Sequence, residues 1–391
     1  MATPRGGPGA RTKASALALA FVTAALPAAC GGPPAEPAIA FTYNFGDTAF
    51  QGFLQEELDR VRPEGGVRLR VKGAEFRRED HPELTAHATE LLRASELVAD
   101  PAVLAVVGPG GSREALQAAP IYREGGMPNL VPNATSRLLP GVSPWTFVLA
   151  PNDSVQGEFI GAFADSVLGA TRAIVLYVPD EYGIGLAAGT EAAFARRGVT
   201  LLDRFPMRFT HDCLEAAEGA RPFEQLAAQA ALRGVPDVAV IAARGVETGC
   251  AARALRARFP GVRILGGDGT YLDETFLTRA GPAAEGTYLV AFWHPGVDRP
   301  GSAAFVRGFT ARVRRAPRHV DAVFYDGVRL AATAVWSAGP DRDAVRRWLD
   351  GLGTAHPPYV GIASDIGFGP GQRRGMLMTR VRGDSAEVVG R

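Results

Sequence analysis

Between Val103 and Ser136 the chain reads VLAVVGPGGSREALQAAPIYREGGMPNLVPNATS. The unbroken apolar run Val103 to Val107, closed by glycines, has the length and composition of a strand buried on both faces. The glycine loop Gly108 to Gly111 follows, and a helix opens at Ser112. A second short strand, Met127 to Val131, ends in the polar turn Pro132, Asn133, Ala134 and Thr135. Strand, helix and strand in this order form a parallel unit. Its two strand ends bring two hydroxyls, those of Ser112 and Thr135, to one edge of a sheet, with free backbone N–H groups around them. A helix N-terminus beside them adds unpaired donors and a partial positive charge. Such a place suits a small anion, for instance a carboxylate, because open α/β sheets hold ligands outside the carboxyl ends of their strands.

The same alternation runs through the chain of 391 residues, long enough for two domains with real cores. Ile39 to Tyr43 and Val67 to Val71 read as strands, and Thr48 to Val61 and Pro82 to Val98 as helices. A second series begins near Pro151. Its helices are Ser154 to Leu168, Gly183 to Arg197, Phe223 to Leu232 and Val246 to Arg258. Its strands are Ala173 to Val178, Val199 to Phe205, Val238 to Ala242 and Val262 to Leu265. Gly286 to Phe292 then reads as a crossing strand, followed by helices Ser302 to Val313, Val320 to Ser337 and Asp341 to Leu349. The tail from Tyr359 to Val389 reads as strands and turns. Strands alternating with helices imply parallel sheets covered on both faces. No internal sequence repeat is visible, although the two halves are expected to share a fold.

The first residues carry a targeting pattern. Arg5, Arg11 and Lys13 precede an apolar run, Ala14 to Leu26, too short to span a bilayer. Ala28 and Ala29 precede Cys30, and Gly31 to Pro34 follow as a tether. This resembles a bacterial lipoprotein signal in which Cys30 becomes the acylated first residue, although Pro27 stands where that pattern prefers an aliphatic residue. An ordinary secretory signal with an incidental cysteine is the alternative. Loss of residues 1–29 leaves 39 basic against 41 acidic groups, a net charge of −2. No basic stripe is left for phosphates, so nucleic-acid binding is not expected.

Catalytic patterns fail to assemble. Gly108-Pro109-Gly110-Gly111 does not follow G-x-G-x-x-G, and the only lysines are Lys13 and Lys72. His81 and His87 fall on different helix faces and make a poor metal pair. Ser364 lacks the G-x-S-x-G of a nucleophile elbow. No enzyme activity, cofactor or metal is expected.

In order and spacing, the chain after residue 100 resembles the type I periplasmic substrate-binding proteins, in the branch that binds leucine, isoleucine and valine for ABC importers. The pieces are Gly108-Pro109, Ser112, Ala118 to Tyr122, Gly126-Met127-Pro128 and Pro132 to Thr135. They continue with Pro151 to Gly157, Asp180 to Gly183, Pro236 to Val238, Gly266 to Gly269 and Ala322 to Gly327. The resemblance implies an α/β fold of two lobes, each a parallel sheet flanked by helices, joined by three crossover segments. These map near residues 148–151, 287–293 and 352–358. Lobe one is then 38–149 with 290–353 and lobe two 151–288 with 355–391, behind a signal peptide (1–29) and a tether (30–37).

The resemblance also implies a function and a site. An extracytoplasmic, lipid-anchored protein would capture an amino acid or similar carboxylate by hinge closure and pass it to an ABC permease. A ligand sensor on the same fold and a lipoprotein with a decayed cleft remain the alternatives. Ser112 and Thr135 would hold the ligand's carboxylate, whereas the plainer reading makes them a helix cap and a turn residue. Asp268 would meet its ammonium, the alternative being an Asp-Gly turn, and Tyr182 would line the cleft from lobe two. Asn133 stands in place of a small residue in the P-x-A-T turn and would add a hydrogen bond or narrow the pocket. The loop Arg244 to Thr248 lacks the aromatic residue of the family, with Arg244 or Glu247 in its stead, which argues against assuming leucine as ligand. Phe45 would pack on a ligand or in the core. Cys213 and Cys250 fall in the same lobe, and in an exported chain a disulfide between them is expected, with two unrelated thiols as the alternative.

Overall fold

The computed structural model describes residues 36–42, 47–73, 85–207, 212–214, 218–272, 274–372 and 374–390. The expected signal peptide, Cys30 with most of its tether, Phe45 and His81 lie outside these residues. Of the described helices, none is long and apolar enough to cross a membrane.

The first series gives β1 (Ala38–Phe41), α1 (Thr48–Val61), β2 (Arg70–Gly73), α2 (Ala86–Ala99), β3 (Val103–Val107), α3 (Ser112–Glu124), β4 (Asn129–Val131) and β5 (Thr146–Val148). Its strands form a wholly parallel sheet in the order β2-β1-β3-β4-β5. Every residue of β1 and β3 is buried, as expected of central strands covered on both faces. β4 is shorter than the apolar pattern suggests, and β5 was not anticipated.

The second series gives α4 (Asp153–Ser166), β6 (Arg172–Tyr177), α5 (Glu181–Arg197), β7 (Thr200–Pro206), α6 (Arg221–Ala231), β8 (Val238–Ala242), α7 (Gly245–Arg258), β9 (Arg263–Gly266) and α8 (Glu274–Ala280). β10 (Tyr288–Ala291), read from sequence as a crossing strand, lies wholly within the second sheet, between β9 and a later strand. α9 (Ser302–Val313), α10 (His319–Ala338) and α11 (Arg342–Asp350) return to pack on the first sheet and its helices. The small pair β11 (Tyr359–Val360) and β12 (Asp365–Ile366) follows, then β13 (Leu377–Arg382) and β14 (Ser385–Gly390).

The second sheet runs β14-β13-β10-β9-β8-β6-β7. β10, β9, β8, β6 and β7 are parallel, and β13 and β14 add an antiparallel hairpin at one edge. Counted in chain order, the parallel strands of both sheets follow the same 2-1-3-4-5 arrangement. Each sheet therefore reverses its winding once, between β1 and β3 in the first and between β6 and β8 in the second. Those switch points are where a doubly wound sheet leaves a crevice at its carboxyl edge.

Two local devices hold the elements. α4 and α5 pack backbone to backbone: a Cβ on Gly157 would sit 2.4 Å from the carbonyl carbon of Gly189. At the start of α11, the Arg342 guanidinium donates to the carbonyls of Val98 (3.2 Å), Asp100 (2.7 Å), Val103 (2.8 Å) and Gly125 (3.4 Å). It thereby ties the ends of α2 and α3 to the start of β3. Cys213 and Cys250 are disulfide-bonded, their Cα atoms 5.7 Å apart, which joins the segment after β7 to α7.

Candidate functional site

Loops from both switch points converge on one cavity of about 890 Å³. From the first sheet come Thr42 after β1, Pro109 to Glu114 after β3, and Asn133 to Thr135 after β4. From the second come Asp180 and Tyr182 after β6, Arg244 after β8, and Asp268, Gly269 and Tyr271 after β9. Thr89, Glu90 and Arg93 of α2 and Val320 and Phe324 of α10 close its sides.

Ser112 is the first residue of α3, but the capping position belongs to Gly111, which makes no side-chain cap. The Ser112 hydroxyl instead accepts from the backbone N–H groups of Thr135 (3.3 Å) and Ser136 (3.2 Å). This engages both its lone pairs and leaves its single O–H to donate. The Thr135 hydroxyl is buried and has no hydrogen-bond partner among the described residues. Neither hydroxyl caps α3, and that of Ser112 ties the helix start to the turn at Thr135 and Ser136.

Across the cavity, Gln156 of α4 holds Asp268 at two points. Its amide NH₂ donates to the Asp268 carboxylate (2.8 Å), and its carbonyl accepts from the Asp268 backbone N–H (2.8 Å). Burial pushes the Asp268 carboxyl up to about 6, against the pull of Gln156 and the Tyr182 hydroxyl. The Tyr182 hydroxyl accepts from Gly269 N–H (3.0 Å), and burial raises its own pKa. Arg244 stacks over the Tyr182 ring at 5.6 Å and donates to Asp180 (2.6 Å). Asp153, at the start of α4, is fully buried nearby, and neither carboxylate oxygen has a hydrogen-bond partner among the described residues. Burial pushes it up to about 8, and the neighbouring Asp268 charge adds to the rise.

Two polar contacts span the cavity from one sheet's loops to the other's. The Asn133 side chain donates to the Tyr271 hydroxyl (2.8 Å), and Arg113 of α3 pairs with Glu181 of α5 (2.9 Å). Tyr271 holds its ring in place from a backbone in the left-handed region, at φ +40°, unusual for a bulky residue. The ring meets His319 edge-on at 4.9 Å, and burial pushes that imidazole down to about 3, so it is neutral.

Of the residues singled out from sequence, Ser112, Asn133, Thr135, Tyr182, Asp268 and Arg244 line this one cavity, and Glu247 does not. In the first turn of α7 it is Thr248 that turns inward, 3.1 Å from Thr270, and Glu247 is rotated from it by about 100°. Tyr271, Asp180, Gln156, Asp153, Glu90 and Glu114 were not anticipated. Asp180 and Tyr271 follow strand ends and were open to the same reasoning as Asp268, whereas the helical residues carry no local signal.

Residues 75–384 match the model of the family described as periplasmic binding protein. An amino acid binding protein of Pseudomonas aeruginosa is 27% identical over 262 residues, 66% of this chain and 66% of that protein. Among solved structures, a leucine binding protein of Thermotoga maritima superposes with a TM-score of 0.75 at 21% identity, over 90% of this chain and 98% of its own. The isoleucine complex of a branched-chain amino acid transporter substrate-binding protein of Streptococcus pneumoniae gives 0.75 at 19% identity, over 91% and 99%. A solute binding protein of R. palustris in complex with benzoate gives 0.72 at 16%, over 91% and 95%. The match over most of the chain, together with two sheets of one winding facing a shared cavity, places the chain in the periplasmic binding protein family.

Proposed function

We propose that this protein captures an amino acid or amino-acid-like carboxylate outside the cytoplasm and delivers it to an ABC permease. The observation that carries the reading is the opposition, across one cavity, of Ser112 and Thr135 on the first sheet to Asp268 on the second. On one side a hydroxyl proton, an unpartnered hydroxyl and the N-terminus of α3 suit a carboxylate; on the other a carboxylate suits an ammonium. The leucine, isoleucine and benzoate named for the structural neighbours are all carboxylates, which supports this polarity.

Lobe one is 38–149 with the returning helices up to 353, and lobe two is 151–291 with 355–391, the expected boundary at 288–290 moving past β10 because that strand pairs within the second sheet. The lobes close about their crossovers. The ligand binds the closed form better, because Tyr182 and Asp268 reach it only then, and so shifts the population toward it. Residues 1–29 act as the export signal, Cys30 carries the lipid that anchors the chain, and residues 30–37 form its tether. The buried, polar set of site residues favours this reading over a decayed cleft.

The test is a thermal-shift screen of the full-length chain against amino acids, amides, short carboxylates and aromatic acids. A ligand of the native state raises the melting temperature in a concentration-dependent way. The expected hit carries a carboxylate and is lost in Ser112→Ala combined with Thr135→Val. No hit across the library, or a hit indifferent to both substitutions, overturns the reading.

A further inference from the structure

The wall that α2 and α3 contribute to the cavity is ionic, where an aliphatic ligand would need it apolar. Glu90 and Arg93, one turn apart on α2, pair at 3.4 Å with side chains only 4% and 7% exposed. Both line the cavity, with Glu114 of α3 beside them. The Glu90 oxygen Oε1 is buried and has no hydrogen-bond partner among the described residues. A buried acceptor left without a donor is uncommon and costly in a native protein, so this atom awaits a donor from the cavity.

The charges around the cavity point to the sign of that donor. Among the described residues, five carboxylates line it, those of Asp47, Glu90, Glu114, Asp180 and Asp268, against the three guanidiniums of Arg93, Arg113 and Arg244. Each guanidinium has a carboxylate partner: Glu90 for Arg93, Glu181 for Arg113 and Asp180 for Arg244. If Asp268 meets the ligand's α-ammonium, the second oxygen of Glu90 is left facing the rest of the ligand, with the Glu114 carboxylate, which lies back over Gly111 at the start of α3, as the other acidic group of this wall. An apolar side chain there would strip water from both and return nothing.

We infer that the α2–α3 wall receives a cationic group of the ligand other than its α-ammonium, a second ammonium or a guanidinium, with Glu90 and Glu114 as its acceptors. The preferred solutes are then basic amino acids or amines of that form. The inference rests on the proposed carboxylate site at Ser112 and Thr135.

Calorimetric titration of the full-length chain with matched pairs tests it: arginine against citrulline, and lysine against norleucine. Within each pair the cationic member is expected to bind at least tenfold tighter. Glu90→Gln removes most of that preference. Glu114→Gln, at a half-buried position where folding is not at stake, reduces the preference as well. Ser112→Ala weakens both members alike. If neutral members bind as well as cationic ones, with the Ser112 dependence intact, the cationic wall is wrong and the carboxylate site stands. A cationic preference that survives both glutamate substitutions also overturns the assignment. If no amino acid binds at all, both readings fall.

Discussion

Asp153 occupies a place where a carboxylate gains little from being charged. It stands in the first turn of α4, where the helix dipole favours an anion, but α5 packs onto it so closely that a Cβ on Gly185 would lie 2.4 Å from its Oδ2. With its carboxyl raised to about 8 from an ordinary 3.8, it folds protonated over much of the pH range. A raised carboxyl contributes its stability in acid and loses it as pH rises through the folded value. Asp153→Asn, which keeps the shape and removes the titration, should match the parent near pH 4. The variant should become more stable by about 1–3 kcal/mol toward pH 9, as read by chemical denaturation at each pH. A gap that narrows with rising pH would contradict this. The sequence shows why such a residue is hard to read: an Asp after Asn152 looks like a solvated helix start, and only the approach of α5 buries it. Ser112, Thr135, Tyr182 and Asp268 were legible because each follows a strand end, which fixes its side of the sheet. Nothing local tells Gln156 that its amide will hold Asp268 more than a hundred residues away.

At the scale of elements, central strands and long helices followed from apolar runs and periodicity, as β3, β8 and α10 illustrate. The elements that escaped are short or depend on partners. β5 has three residues between proline-rich turns and exists by pairing with β4. Glycines in α4 and α5 look like helix weakeners in sequence, yet they allow the two backbones to meet. Gly157→Ala would place its methyl against the Gly189 backbone, which cannot rotate away as a side chain would. The expected cost is about 1–3 kcal/mol of unfolding free energy, the range for overpacking, read by urea denaturation. An unchanged midpoint would show that the helices separate without loss.

For the molecule as a whole, the repeated 2-1-3-4-5 order was invisible as sequence repetition, because a winding order is set by which strands pair and tolerates wide change in side chains. The cavity between the two switch points follows from that order. If the proposed closure is right, a saturating ligand should reduce the radius of gyration in small-angle X-ray scattering, and an unchanged value would exclude a large hinge movement. The same framework bears on Tyr271→Phe, which removes the hydrogen bond from Asn133. It should weaken ligand binding by about 0.5–1.5 kcal/mol in calorimetry, with little change in the melting temperature of the unliganded chain. The two contacts across the cavity also bear on how quickly a solute is taken up. If the proposed closure draws these contacts across the entrance, a solute passes Asn133–Tyr271 and Arg113–Glu181 only while they are parted, and its arrival rate is the encounter rate multiplied by the fraction of time they are apart. The exposed ion pair is the part of this gate that dissolved salt can loosen. Ionic strength would then speed unloading, and because the ligand favours the closed form it would also shorten the time for which the cargo is held.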